Sequence, residues 1–160
     1  MAAERPRWTD PVHLLAFGFG AGASPLAPGT LGSALALPPW LLLRGLPPLG
    51  YLTTLAILFL GGVWVCGRAA RDLGVHDHSG IVWDEMVGMW ATLFLAPPGW
   101  PVPLAAFALF RLFDILKPWP IGLVDRRVRG GLGIMLDDLA AALMAWLVLH
   151  GGLWLAGAYG

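Results

Sequence analysis

Charge is scarce in this chain: Asp, Glu, Lys and Arg make up 12% of 160 residues, 58% are hydrophobic, and the mean hydropathy is +0.71. That balance excludes an ordinary soluble domain and reads as an integral membrane protein. Net charge is lacking too. Ten basic residues cancel ten acidic ones, so no global field favours DNA or RNA, and any charged feature must be local. Cysteine is nearly absent. Cys66 alone forms no intramolecular disulfide and offers no metal-ligand spacing, and in its apolar run it reads as packing. The opening MAAERPRWTD lacks the apolar core and small-residue cleavage site of a signal peptide, so insertion is expected to rest on internal spans. No repeat, low-complexity tract or linker divides residues 1–160, which read as a single domain.

What the chain does have is apolar runs. Pro47 to Gly67 and Leu139 to Ala158 approach the roughly 20 residues that a spanning helix needs. Ile81 to Ala96 reaches that length only if its acidic start lies at the interface. Val102 to Leu116 is shorter and is joined to it by the uncharged loop PPGWP, which predicts a helical hairpin. Leu31 to Leu43 is too short to span alone, and His13 to Thr30 is interrupted by Pro25, Pro28, Gly18, Gly20, Gly22 and Gly29. The expected fold is all-α: a polytopic membrane helical bundle of about four to five spans with a broken or re-entrant N-terminal element. Trp40, Trp64, Trp83, Trp100, Trp119 and Trp154 lie near the ends of apolar runs, as an interfacial aromatic belt requires. Arg5, Arg7, Arg68, Arg71, Arg111, Lys117, Arg126, Arg127 and Arg129 fall on one side of this topology and Arg44 alone on the other. The positive-inside rule then puts the crowded side in the cytoplasm, if the first element spans.

The acids collect on that same side. Asp84 and Glu85 open the third span, Asp114 closes the fourth, and Asp137 and Asp138 open the last. A carboxylate costs about 2.5–3.5 kcal/mol at a helix centre on insertion scales, and much less near the interface. Helix capping explains a single Asp at a helix start. It explains the adjacent pair less well, because neighbouring side chains point about 100° apart. Carboxylates converging from three helices repel unless a cation lies between them, and Mg²⁺ is the natural hard cation for oxygen ligands and phosphate. Asp84, Glu85, Asp137 and Asp138 are the candidate ligands, with Asp114 as ligand or base. Arg111 and Lys117 flank Asp114 at i−3 and i+3, so either could pair with it as a salt bridge or, alternatively, grip a phosphate. Thr30 and Ser33, in the glycine-rich GFGAGASPLAPGTLGS of residues 18–33, are further phosphate-binding candidates, although small residues there also suit close helix packing. Arg126, in DRRVRGG, is a phosphate candidate whose cluster equally suits a topology signal or headgroup contact.

Three blocks together resemble the phosphatidylglycerophosphatase A family: GFGAGASPLAPGTLGS at 18–33, HDHSGIVWDEMVGMW at 76–90, and FRLFDILKPWPIGLVDRRVRGGLGIMLDDLAAAL at 110–143. The resemblance implies a multi-pass, Mg²⁺-dependent enzyme of the bacterial inner membrane, with its active site at the cytoplasmic face. It would remove the terminal phosphate of phosphatidylglycerophosphate to give phosphatidylglycerol. The implied partners are that lipid and the surrounding membrane, with no nucleic acid and with room for a homo-oligomer. The chain has no PSGH-like, DxDx[TV] or CxxxxxR block, so histidine, standard aspartyl-phosphate and cysteine nucleophiles lack their motifs. Water oriented by one or two Mg²⁺ ions is the expected nucleophile, a covalent aspartyl phosphate is the alternative, and His76 and His78 are candidate proton relays. Two rival classes are a cation or proton transporter built on the clustered carboxylates and a non-catalytic scaffold.

Overall fold

Proline starts four of the helices. In the computed structural model, which describes residues 5–75 and 78–158, α1 (Pro11–Ala16), α2 (Pro28–Leu35), α4 (Pro48–Asp72) and α6 (Pro101–Leu116) all begin on it. The first turn has no use for the missing N–H, and the ring presets a helical φ. The other helices are α3 (Leu37–Leu43), α5 (Trp83–Thr92), α7 (Ile121–Arg127) and α8 (Gly130–Leu155). Among the described residues there is no strand, so the all-α expectation holds.

α4 and α8, of 25 and 26 residues, are long and apolar enough to cross a membrane. At about 1.5 Å per residue each exceeds the roughly 30 Å of a hydrocarbon core. α8 begins nine residues before the Leu139 expected from hydropathy, because Gly130 to Asp138 is helical despite its glycines and acids. Asp137 and Asp138 therefore sit inside the helix, not at its start. The Ile81 to Ala96 run is also corrected. α5 holds only 10 residues before the chain turns, with Leu95 at φ 58°, and about 15 Å of helix is half a span. The N-terminal third is broken as expected, into α1, a 3-10 stretch at Gly18–Ala23, α2 and α3.

α8 is the central element and packs on α4, α5, α6 and α7. Its buried Gly131, Gly133, Ala141, Ala142 and Ala145 allow neighbours to approach closely. Where α8 crosses α4, a Cβ on Gly131 would lie 1.9 Å from the Val63 carbonyl oxygen, so only glycine fits. That crossing joins the C-terminal half of α4 to the N-terminal end of α8, making the pair antiparallel. α5 runs alongside α8, its Gly88 facing the Asp138 carbonyl. The Val82 N–H donates to the Ala16 carbonyl at 2.8 Å and fixes the entry to α5 against the end of α1. α1 is in turn tied to α4, where buried His13 meets Asp72 at 3.3 Å and Arg68 bridges Asp10 and Asp72.

Candidate active site

Three helices bring their polar residues to one end of the bundle. The first turn of α5 presents Asp84 and Glu85, α8 presents Asp137 and Asp138, the last turns of α6 present Arg111 and Asp114, and Lys117 follows α6. All seven line a cleft of about 250 Å³. The start of α2 forms the remaining wall through Ala27, Pro28 and Gly29, and the loop before α5 adds His78, Ser79 and Ile81. Gly29 is required by this closeness: a Cβ there would stand 2.2 Å from Glu85 Oε1 and 3.1 Å from Arg111 Nη1.

Within the cleft, Asp84, Glu85 and Asp138 each offer an oxygen, and these oxygens all lie within 4.8 Å of one another. This group can hold a metal ion. Asp84 is 8% exposed and Asp138 4%, a costly setting for clustered negative charge without compensation. Glu85 Oε2 and Asp138 Oδ2 are buried and accept no hydrogen bond from the described residues. Arg111 brings a cation to this group: its Nη1 pairs closely with Asp114 Oδ2 and lies 3.8 Å from Glu85 Oε1, while its buried Nε has no partner among the described residues.

Lys117 does not pair with Asp114, although the spacing allowed it. The chain leaves α6 with Lys117 in the left-handed region, φ 43°, which turns the side chain away from the helix face. Its ammonium donates to Asp125 Oδ1 at 2.8 Å and closely to Asp137 Oδ2. Burial works against the charged ammonium, but these two carboxylates outweigh it and hold the Lys117 pKa above its ordinary value. The hydrogen bond from Lys117 correspondingly lowers that of Asp125. Asp137 thus faces Lys117 and stands outside the three-carboxylate group, its Oδ1 accepting the Asp138 N–H at 3.1 Å.

The structure brings Asp84, Glu85, Arg111, Asp114, Lys117, Asp137 and Asp138 together, as expected from the sequence. It does not bring the other three phosphate candidates with them. Ser33 is buried and donates to the Gly29 carbonyl at 2.8 Å, Thr30 is not part of the cleft wall, and exposed Arg126 turns its Nε back to the Gly122 carbonyl. His78 does line the cleft, with Nδ1 accepting the Gly80 N–H at 3.0 Å, whereas His76 lies outside the described residues. Asp125 is a functional candidate that sequence reasoning passed over, because it opens the basic run DRRVRGG and was counted with it. A second acid–histidine group, Asp10, His13 and Asp72, is already satisfied. His13 Nδ1 accepts the Arg7 N–H at 3.0 Å, and Arg68 supplies a cation to both carboxylates.

A carboxylate triad in a cleft shared with an arginine and a lysine has the chemistry for a metal-assisted reaction on a phosphate. Comparison with known proteins gives the family. The profile of the family Phosphatidylglycerophosphatase A matches residues 14–153. Phosphatidylglycerophosphatase A of Escherichia coli K12 is 46% identical over 151 residues, covering 94% of this chain and 88% of that protein. Its Haemophilus influenzae counterpart is 47% identical over 144 residues, covering 88% and 87%. A Bacteroides thetaiotaomicron protein provisionally named a phosphatidylinositol-3-phosphatase is 39% identical over 153 residues, covering 90% and 94%. No solved structure matches the chain. The profile covers every cleft residue, and two relatives share nearly half their positions along almost the whole length, so this chain belongs to the phosphatidylglycerophosphatase A family.

Proposed function

We propose that this protein is a phosphatidylglycerophosphatase of the bacterial inner membrane, releasing the terminal phosphate of phosphatidylglycerophosphate at the cytoplasmic face to leave phosphatidylglycerol. The observation that carries this reading is the meeting of Asp84, Glu85 and Asp138 in a cleft that Arg111 and Lys117 also line. Family membership supports the substrate. The three acids fit a hard divalent cation: each offers an oxygen close to the other two, and Glu85 Oε2 and Asp138 Oδ2 are buried with no hydrogen-bond donor among the described residues. Mg²⁺ is the proposed ion, held by Asp84, Glu85 and Asp138, and when bound it supplies charge neutralisation for phosphoryl oxygens and a lowered pKa for water.

The chain's own residues do the rest. Arg111 turns its guanidinium from Asp114 toward the arriving phosphate, for which its planar fork is suited. That movement frees Asp114, which becomes the proposed general base. Water attacks phosphorus, its proton passes to Asp114, the bond from phosphorus to the glycerol oxygen breaks, and that oxygen takes the proton back from Asp114, which is left ionised for the next turnover. Lys117, held in place by Asp125 and Asp137, offers a second cation to the phosphoryl oxygens. Transport is not supported, since the relatives are named as phosphatases and the acids gather at one end of the bundle. The test is phosphate release from phosphatidylglycerophosphate by the purified protein in detergent. Release that stops on chelation and returns with Mg²⁺ is expected. No release, or release indifferent to both treatments, would overturn the reading.

A further inference from the structure

A second cavity is apolar and lies on another face of α8. It is a groove of about 580 Å³ between α4, α5, α7 and α8, within the usual range of about 300–1,000 Å³ for ligand sites. Its α8 wall starts at Leu136, beside Asp137, and ends at Trp146, about 15 Å further along the helix. The Trp146 indole is pinned there, donating to the Phe94 carbonyl at 2.8 Å. At the polar end the wall is Val124 of α7 and Val128 just beyond it. Those residues bracket exposed Arg126 and Arg127, with exposed Arg129 following. The segment is therefore amphipathic, with valines toward the groove and cations outward. Asp125, next to Val124, makes the hydrogen bond to Lys117 and so joins this rim to the catalytic cleft.

We propose that this groove seats an acyl chain of the lipid substrate, with the arginines after Val124 attracting its anionic headgroup end. The inference rests on the phosphatase reading and adds the site that holds the substrate's apolar part. Three features favour this occupant over bulk lipid. The groove runs along the long axis of α8, as a chain parallel to the membrane normal does. Its end at Val124, Val128 and Leu136 adjoins the cleft through α7 and the Leu136–Asp137 step. The rim carries cations where an anionic lipid presents phosphate. A chain held there lets remote apolar contacts position the phosphate, which is how binding energy away from the reacting bond serves turnover.

The test compares two substrates: long-chain phosphatidylglycerophosphate in mixed micelles, and its water-soluble deacylated headgroup. Leu143→Trp and Ala140→Trp would each fill the groove, and Leu143 is exposed enough to accept a larger side chain. The ratio of kcat/KM for the diacyl lipid to that for the headgroup should fall tenfold or more, mainly through KM. An unchanged ratio in either folded variant overturns the groove. Failure of the wild type on both substrates overturns the phosphatase reading instead, and a second readout then judges the groove. Phosphatidylglycerol bearing a diazirine in one acyl chain should crosslink to residues 136–146, in competition with unlabelled phosphatidylglycerophosphate. Crosslinks spread around the bundle and indifferent to competitor would mean bilayer lipid only. Crosslinks lost because a second copy covers the groove would mean a dimer face. Either result overturns the proposal.

Discussion

Asp138→Asn separates the metal reading from any structural role for this carboxylate. Asp138 is the ninth residue of α8, too deep to cap the helix, so its burial at 4% exposure has no local explanation. Its neighbours set the magnitude. With the Asp84, Glu85 and Asp138 oxygens within 4.8 Å of one another, each fully ionised pair repels by about 3.5 kcal/mol at an effective dielectric of about 20. Asp138 takes part in two such pairs. A buried carboxylate cluster relieves much of such repulsion by protonation when no cation is bound, so neutralising Asp138 should return only about 1 kcal/mol. In a chain of this size that raises Tm by about 2–4 °C. Activity should move the other way. A hard cation loses an anionic ligand, and a transition-state loss of about 2.7 kcal/mol or more lowers phosphate release at least a hundredfold. The assay is phosphate release across a Mg²⁺ titration, paired with thermal unfolding in detergent plus chelator. Near-normal turnover with an unshifted Mg²⁺ dependence would refute the ligand assignment. Lost turnover with a lower Tm in chelator would show instead that Asp138 holds the fold.

Lys117→Met should raise KM or lower kcat/KM while the protein still unfolds cooperatively, because the ammonium lines the cleft and its partner Asp125 is exposed to water; unchanged kinetics would leave it a salt bridge only. Gly131→Ala should cost on the order of 1–3 kcal/mol or more, since its Cβ would lie 1.9 Å from the Val63 carbonyl oxygen and push α4 from α8; an unaltered Tm would contradict this crossing. A reporter inserted between α4 and α5 should behave as cytoplasmic, following the nine-to-one asymmetry of basic residues. A periplasmic signal from it would remove the cytoplasmic active site.

Much of the site was legible because charge is rare in an apolar chain. Each of Asp84, Glu85, Arg111, Asp114, Lys117, Asp137 and Asp138 interrupts or borders a hydrophobic run, and such interruptions are costly in a membrane unless they serve a purpose. Two of the misses share one cause. Thr30 and Ser33 were candidates because hydroxyls suit phosphate, yet α2 turns Ser33 onto its own backbone and lends the cleft its Ala27–Gly29 edge. Which side of a short helix faces a site depends on its neighbours, and composition carries no record of that.

By itself, the sequence determined the all-helical class, the two long apolar helices, the broken start and the family, because hydropathy, proline placement and ordered motifs are local properties. Only tertiary structure decided how those acids are shared. Spacing made Asp137 and Asp138 equivalent neighbours, but about 100° of helical rotation sends one to Lys117 and the other to Asp84 and Glu85. Spacing likewise offered Lys117 to Asp114, and a left-handed residue at the end of α6 sent it to Asp125 and Asp137. The start of α8 moved for a related reason. Gly130 to Asp138, with three glycines and two acids, falls outside the Leu139 to Ala158 run, yet Gly131 packed on α4 and acids sheltered in a shared cleft allow the helix to run through. Pairing among charges is set by which helices touch and at what rotation, and the physical contacts that fix this lie far apart along the chain.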